Sequence, residues 1–311
     1  MFILRGTAVS LTFFVLLYCL LSVLVVCAWR GVMGLCGASA RSQENMLFWI
    51  RLSPLLASAA ATLTLAVPSF VLLEPRSIDE EMSVPLVLGL ACLVLFAFGL
   101  SRVVIAQAKS SRVVREWLKE ANILDAGVTV PTIQASRKSP PLALVGVCAP
   151  RVVVSEAAVA LLSTPELRVA VRHEIAHMRS RDNLKKLVFH CSPFPGMASL
   201  EGAWQEAAEL AADDAAVSNF RDALDLAATL IKLSRLIPAK AAPTFTMALV
   251  SGPGSVRVRV ERLLAWDESR VLDVHKPWRY AVPVLAAILC TAALYSPALA
   301  QIHRVTEWLV R

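Results

Sequence analysis

Long blocks of uncharged, apolar residues alternate along the chain with segments in which charged residues recur every few positions. Four blocks, residues 7–29, 52–73, 82–101 and 280–302, contain no ionised side chain. Each has about 20 or more residues, and a helix of that length crosses a hydrocarbon core of roughly 30 Å. The pattern therefore predicts four transmembrane helices.

The first block could instead be a signal peptide. Its apolar run is longer than the usual core of a signal peptide, about 7–15 residues, and no cleavage site of small residues follows closely before Arg30. We therefore expect a retained membrane anchor.

Basic residues in the loops predict the orientation of these helices. The loop between the first two blocks and the segment after the third are basic, whereas the loop at residues 74–81 is acidic. The positive-inside rule then places residues 110–279 in the cytoplasm and both termini outside. We expect a multi-pass protein of a bacterial-type inner membrane. Residues 1–109 would hold three spans, and residues 280–311 a fourth span with a short external tail.

The cytoplasmic part combines two patterns. Residues 128–135 and 142–154 are rich in Val, Leu and Ile and are interrupted by Pro and Gly, which predicts two or three short strands. From Ser155 onward the sequence is rich in Ala and has a helical pattern. The predicted fold is mainly α, with four transmembrane helices and a cytoplasmic α+β domain.

Composition agrees with a membrane protein and excludes other classes. Hydrophobic residues make up 57% of the 311 residues and charged residues 18%, compared with about a quarter charged in soluble domains. The net charge of +7 has no nucleic-acid-binding motif beside it, so direct nucleic-acid binding is not expected. The seven cysteines form no C-x-x-C pair, which argues against a disulfide framework or a thiolate zinc site.

Residues 173–177 form the pattern H-E-x-x-H. Histidines four residues apart lie on one face of a helix, so His173 and His177 can bind one Zn²⁺ while Glu174 acts as the general base. Thr164 is the predicted N-cap of this helix, and Pro165 suits its first turn. Residues 167–189 contain no Gly or Pro, which predicts one continuous helix through the motif. The competing interpretation is two surface histidines on an exposed helix.

A third ligand is expected on a second helix at residues 199–219. Glu209 would complete a His₂Glu site with an open position for water, and Asp213, one turn later, could accept the free N–H of a ligand histidine. Glu206 and His190 are alternative third ligands. Asp182 and Asp214 are interpreted as polar-face or capping residues. Alanines at 207, 208, 211 and 212 would allow the two helices to approach closely.

These motifs resemble the membrane metallopeptidases of the BlaR/MecR antirepressor type and, more distantly, the HtpX-type membrane proteases. The shared pattern is H-E-x-x-H followed by E-x-x-x-D, here residues 173–177 and 209–213. Residues 146–155, 177–184 and 256–264 resemble the family's lead-in, continuation and later basic helix. The resemblance implies a zincin-like domain and Zn²⁺. It also implies His173, His177 and Glu209 as ligands, Glu174 as the base and Asp213 as an outer carboxylate.

The resemblance also implies a protein substrate, such as a transcriptional repressor or the chain itself, cleaved in response to a signal. Antibiotic-sensing members carry a large external domain and an S-x-x-K motif, and this sequence contains no S-x-x-K. The protein would then sense through the acidic loop, through a partner, or not at all, and a homo-oligomer is a further expectation. The alternatives are an HtpX-like quality-control protease and a non-catalytic membrane scaffold that binds zinc only for structure.

Overall fold

The computed structural model describes residues 2–34, 39–73, 83–117, 119, 122–124, 132–135, 139–236, 246–248, 253–267, 301 and 304. Within these residues the chain is mainly helical and carries a small mixed sheet. It divides into two compact units. The first comprises Met1–Leu35, Trp49–Gly99 and Val274–Arg311, and the second comprises Cys36–Phe48 and Leu100–Asp273. Each unit is described by itself below.

Three long apolar helices account for the first three predicted spans. They are α1 (Phe2–Gly34), the helical stretch Ala40–Leu73 and α4 (Ser83–Trp117). The second stretch is built from α2 (Ala40–Ala61), a π-helical turn (Thr62–Ala66) and α3 (Val67–Leu73). All three are long and apolar enough to cross a membrane, which indicates a membrane protein. Apart from residue 301, the predicted fourth span at 280–302 lies outside the described residues.

Each of these helices is longer than a bilayer requires. With 33, 34 and 35 residues they extend about 50 Å, compared with roughly 30 Å of hydrocarbon. In the first unit α1 packs against α3, where the Phe2 and Phe70 ring centroids lie 4.9 Å apart. The Thr12 hydroxyl donates a hydrogen bond to the carbonyl oxygen of Pro85, 3.1 Å away.

The second unit contains a five-stranded sheet in the order β1-β2-β4-β3-β5. The strands are β1 (Asn122–Leu124), β2 (Thr132–Ala135), β3 (Leu142–Val145), β4 (Arg151–Ser155) and β5 (Thr246–Ala248). Only β2 and β4 run parallel, and β3 pairs antiparallel with both β4 and β5. The predicted strands in residues 128–154 are therefore present.

The central strands β3 and β4 are buried on both faces. Ala143, Val145 and Val153 form a cluster with Ala135 and with Trp117 at the end of α4. Their sequence neighbours, which point to the opposite face, are buried as well: Leu142, Leu144, Val152 and Val154. Gly146 begins the turn from β3 to β4 with φ +93°, a backbone conformation that favours glycine.

Five helices follow the strands, and a sixth follows β5. The five after β4 are α5 (Glu156–Leu161), α6 (Thr164–Ser180), α7 (Asp182–Cys191), α8 (Ala198–Ala216) and α9 (Phe220–Ser234). The helix after β5 is α10 (Pro253–Leu264). Helix α6 packs against α8, α9 and β3, and α10 packs against α9. Helix α6 therefore lies at the centre of the unit, with its middle turns covered.

Two details differ from the prediction for the motif helix. Its N-cap is Ser163 and not Thr164, because Ser163 and Glu166 form a capping box. The predicted continuous helix through residues 167–189 is interrupted at Arg181, which has φ 56° in the left-handed region. The absence of Gly and Pro did not prevent this break, and α7 begins at the next residue.

Candidate metal centre

The motif residues lie on the buried middle turns of α6. The side chains of His173, Glu174 and His177 are 0% exposed. Helix α8 approaches closely enough to cover them because the residues it presents are small: Ala207, Ala208, Ala211 and Ala212, all buried. The predicted close approach of two alanine-rich segments is therefore present, and the interpretation of the histidines as exposed surface residues is wrong.

Two imidazoles and one carboxylate converge at this point. The Nε2 atoms of His173 and His177 are 3.1 Å apart. Glu209 on α8 places Oε2 3.6 Å from His173 Nε2 and Oε1 3.8 Å from His177 Nε2. This buried group could hold a metal ion, since donor atoms of all three residues lie within 4.8 Å of one another.

Each histidine is also held from its other ring nitrogen by a carboxylate. Asp213 Oδ1 lies 3.0 Å from His173 Nδ1, and Asp182 Oδ2 lies 2.7 Å from His177 Nδ1. A carboxylate can only accept a hydrogen bond, so these two contacts favour the tautomers that carry a proton on Nδ1. Both Nε2 atoms then present lone pairs to the space between them.

These donors suit a cation. The two Nε2 atoms, 3.1 Å apart, need a positive charge between them, either a proton or a metal cation, because their lone pairs would otherwise repel each other. Glu209 Oε1 is buried and has no hydrogen-bond partner among the described residues. Zinc binds His nitrogen and carboxylate oxygen at about 2.0–2.2 Å, which puts neighbouring donors of a tetrahedral site about 3.3 Å apart. The observed separations are near that value, and the chemistry of the donors fits zinc.

Arg259 on α10 holds the carboxylates of this centre. Its Nη1 donates to Glu209 Oε2 at 2.8 Å, and its Nε and Nη2 donate to Asp213 at 2.7 and 2.6 Å. The guanidinium is 2% exposed. Because Arg259 occupies Oε2 of Glu209, Oε1 is the oxygen left for a metal.

The electrostatics of the centre favour a positive charge beside Nε2 of His173, which a proton or a metal cation can supply, and a neutral carboxyl at Glu174. Burial works to lower the pKa of His173, but the hydrogen bonds to Asp213 and Glu209 outweigh it and raise the pKa to about 9. Burial raises the pKa of Glu174 to about 7, against the opposing charges of His173 and His177. Burial would raise the pKa of Asp213, but Arg259 holds it well below its usual range.

Glu174 differs from the other carboxylates of the centre because both of its oxygens are unpaired. Both carboxyl oxygens are buried and have no hydrogen-bond partner among the residues that the structure describes. Glu174 directly follows His173 on α6, and the charges of His173, His177 and Glu209 and a backbone contact at Leu144 also influence its pKa. A carboxyl group with a pKa near neutrality can both accept and donate a proton at pH 7.

The alternative ligands lie elsewhere. Glu206 is exposed on α8. The Nδ1 of His190 on α7 lies 3.0 Å from the carbonyl oxygen of Lys186, one turn earlier on the same helix. Asp214 is exposed and pairs with Arg262 at 2.7 Å. The structure brings neither Glu206 nor His190 into the group of metal donors.

Two residues of the centre were not assigned to it from the sequence. Asp182 was interpreted as a polar-face or capping residue, because a continuous helix would place it about 140° around the axis from His177. The left-handed Arg181 turns the chain and brings Asp182 to His177. Arg259 was given no role, although it lies between Val256 and Leu263 on the buried face of α10. A charge on such a face indicates a buried partner.

In comparisons with known proteins, no family model matches the chain, and no curated protein gives a significant match.

Proposed function

We propose that this chain is an integral membrane zinc metallopeptidase, with His173, His177 and Glu209 as the metal ligands. The observation that carries the proposal is Glu174, a fully buried carboxyl group without a hydrogen-bond partner among the described residues. A buried unpaired polar group costs free energy and needs an explanation. A purely structural metal site gives no reason for such a group, whereas a hydrolytic site requires a base beside the metal.

Zinc, when bound, supplies a Lewis acid that polarises the scissile carbonyl and acidifies a water molecule. Glu174 accepts a proton from the attacking water and returns it to the leaving amine. A pKa of about 7 suits both steps at neutral pH. Asp213 and Asp182 keep Nδ1 of the two histidines protonated, so that both Nε2 atoms remain metal donors.

We further propose the membrane organisation and family that the sequence suggests. Residues 280–302 would form a fourth span, and the zincin-like domain would face the cytoplasm. The enzyme would be of the BlaR/MecR type and would cleave a cytoplasmic or membrane protein, such as a transcriptional repressor. Three apolar helices and four of the five described strands precede the H-E-x-x-H helix, and this order of elements supports the proposal.

The test compares full-length protein purified in detergent with its Glu174→Gln variant. Zinc content is measured by elemental analysis, and hydrolysis is measured on fluorescent casein and on the chain itself. We expect one zinc per chain in both proteins. Cleavage by the variant should fall at least about 100-fold, because a general base contributes 10²–10⁴-fold to rate.

Glu206→Gln is the matched control, since it removes an exposed carboxylate from α8. It should keep both zinc and cleavage. If Glu174→Gln cleaves as fast as the wild-type chain, Glu174 is not the base. If the wild-type chain binds zinc and cleaves nothing, the non-catalytic scaffold replaces the peptidase.

A further inference from the structure

A chain of buried charges connects His177 to the beginning of α2. Asp182 holds His177 through Oδ2, and its other oxygen, Oδ1, lies 3.2 Å from the ammonium of Lys185. The same ammonium donates a hydrogen bond to Glu44 Oε1, and these two residues are 141 positions apart in sequence. Lys185 therefore lies between two carboxylates, of which Glu44 is 0% exposed and Asp182 1%.

The beginning of α2 is fixed at this place by further contacts. Arg41 donates to Glu44 Oε2 and to the hydroxyl of Ser180, the last residue of α6. The Phe48 ring lies 5.7 Å from that of Phe189 on α7. Residues 40–48 thus contact the elements that carry the motif histidines and Asp182.

The same segment reaches the helix that carries Glu209. The ring of Phe189 packs edge-on against Trp204 of α8, with 5.1 Å between the centroids. Trp204 is 1% exposed and precedes Glu209 by five residues on the same helix. The aromatic contacts therefore link residues 40–48, through Phe189, to the helix that carries Glu209.

We propose that Lys185 and Glu44 are positioning residues of the metal centre. Lys185 neutralises and fixes Asp182, and Asp182 fixes the ring of His177. Glu44 in turn holds Lys185 in place. A carboxylate can orient a metal-binding histidine only if its own position is fixed by hydrogen bonds or ion pairs. Loss of such outer partners typically weakens metal binding 10–100-fold. The inference rests on the proposed metal centre.

This arrangement makes residues 40–48 part of the metal centre, although they precede the motif by more than a hundred positions. The segment starts a helix whose later residues belong to the first unit. Any displacement of residues 40–48 would therefore change the support of His177. The H-E-x-x-H domain is incomplete without this segment.

The experiment measures the Zn²⁺ affinity of metal-depleted full-length protein by competition with a chromophoric chelator. We expect Lys185→Met and Glu44→Gln each to weaken Zn²⁺ binding about 10-fold. Lys185→Arg, which keeps the charge, should retain most of the affinity. In Co²⁺-loaded protein the visible absorption bands should shift in Lys185→Met, because the orientation of His177 changes.

Lys232→Met is the matched control. It removes the ammonium that holds another buried carboxylate of α6, Glu166, at 2.7 Å, away from the metal donors. It should leave Zn²⁺ affinity and the Co²⁺ spectrum unchanged even where it lowers stability. The inference fails if Lys185→Met and Glu44→Gln bind Zn²⁺ within about threefold of the wild-type chain. It also fails if Lys232→Met weakens binding equally. A wild-type chain that binds no Zn²⁺ would overturn the proposed function as well, so the two failures are distinguishable.

Discussion

Arg259→Met would leave the carboxylates of Glu209 and Asp213 buried together without their cation. Arg259 makes hydrogen bonds of 2.6–2.8 Å to these residues, and all three side chains are at most 4% exposed. Methionine fills a similar volume, so the change removes charge and hydrogen bonds more than packing. The perturbation therefore tests the electrostatics of the centre.

The expected loss of stability is large. Removing one partner of a buried ion pair costs about 3–5 kcal/mol, because the remaining charge stays buried and uncompensated. A change of 1 kcal/mol shifts the unfolding temperature of a domain of 150–250 residues by about 2–4 °C. The metal-free second unit should therefore unfold about 6–20 °C lower in the variant. Zinc should restore part of this loss, since its charge compensates the same carboxylates.

The assay is thermal unfolding of full-length protein in detergent, followed by tryptophan fluorescence with chelator and with zinc. Arg257→Met is the control on the same helix, because Arg257 is 82% exposed and pairs with Glu261 only at the surface. Its unfolding temperature should stay close to that of the wild-type chain. A metal-free Arg259→Met protein that unfolds with the control would refute the electrostatic argument.

Three further predictions concern the frame of the second unit. Gly146→Ala should destabilise it by about 1–3 kcal/mol, measured by chemical unfolding, because φ is +93° and a Cβ would lie 2.8 Å from the carbonyl oxygen of Ala149. Arg181→Gly should be neutral or stabilising by up to about 1 kcal/mol in the same assay, since glycine adopts the left-handed conformation without steric cost. Burial works to raise the pKa of Glu166, but hydrogen bonds from Lys232 and Ser163 lower it below 4.5. The stability difference between the wild-type chain and Lys232→Met should therefore be fully present above pH 4.5 and should shrink as pH falls below it.

The part of the fold that could be predicted is the part that local patterns determine. Apolar blocks of bilayer length predicted the first three long helices, and runs of branched residues between Pro and Gly predicted the strands. Which strands pair could not be predicted. The sheet places β5, from beyond residue 245, next to β3, and such pairing depends on packing between distant segments. The break at Arg181 was also missed, because its residue type does not favour a left-handed conformation.

Within the candidate metal centre, too, local patterns predicted some features, and contacts between distant segments determine others. His173 and His177 are four residues apart, as are Glu209 and Asp213, and helical spacing alone puts each pair on one face. Spacing left Glu206 and His190 open as third ligands, and the resemblance favoured Glu209, which the structure groups with the two histidines as possible metal donors. The identity of the metal and the catalytic role stay predictions.

The residues that hold these donors were not predictable from spacing, because each reaches the centre through a contact between separate elements. Arg259 is 46 positions from Asp213, and Lys185 is 141 positions from Glu44. In the sequence, such a residue can be recognised only as a charge at a position where the pattern of buried residues predicts an apolar side chain. Burying a charge is costly unless it is paired, so such a position implies an opposite charge elsewhere in the fold. At this candidate centre Arg259 pairs with Glu209 and Asp213, and Lys185 pairs with Asp182 and Glu44, so each of these two charges contacts a carboxylate that belongs to the group of possible donors or to its immediate partners.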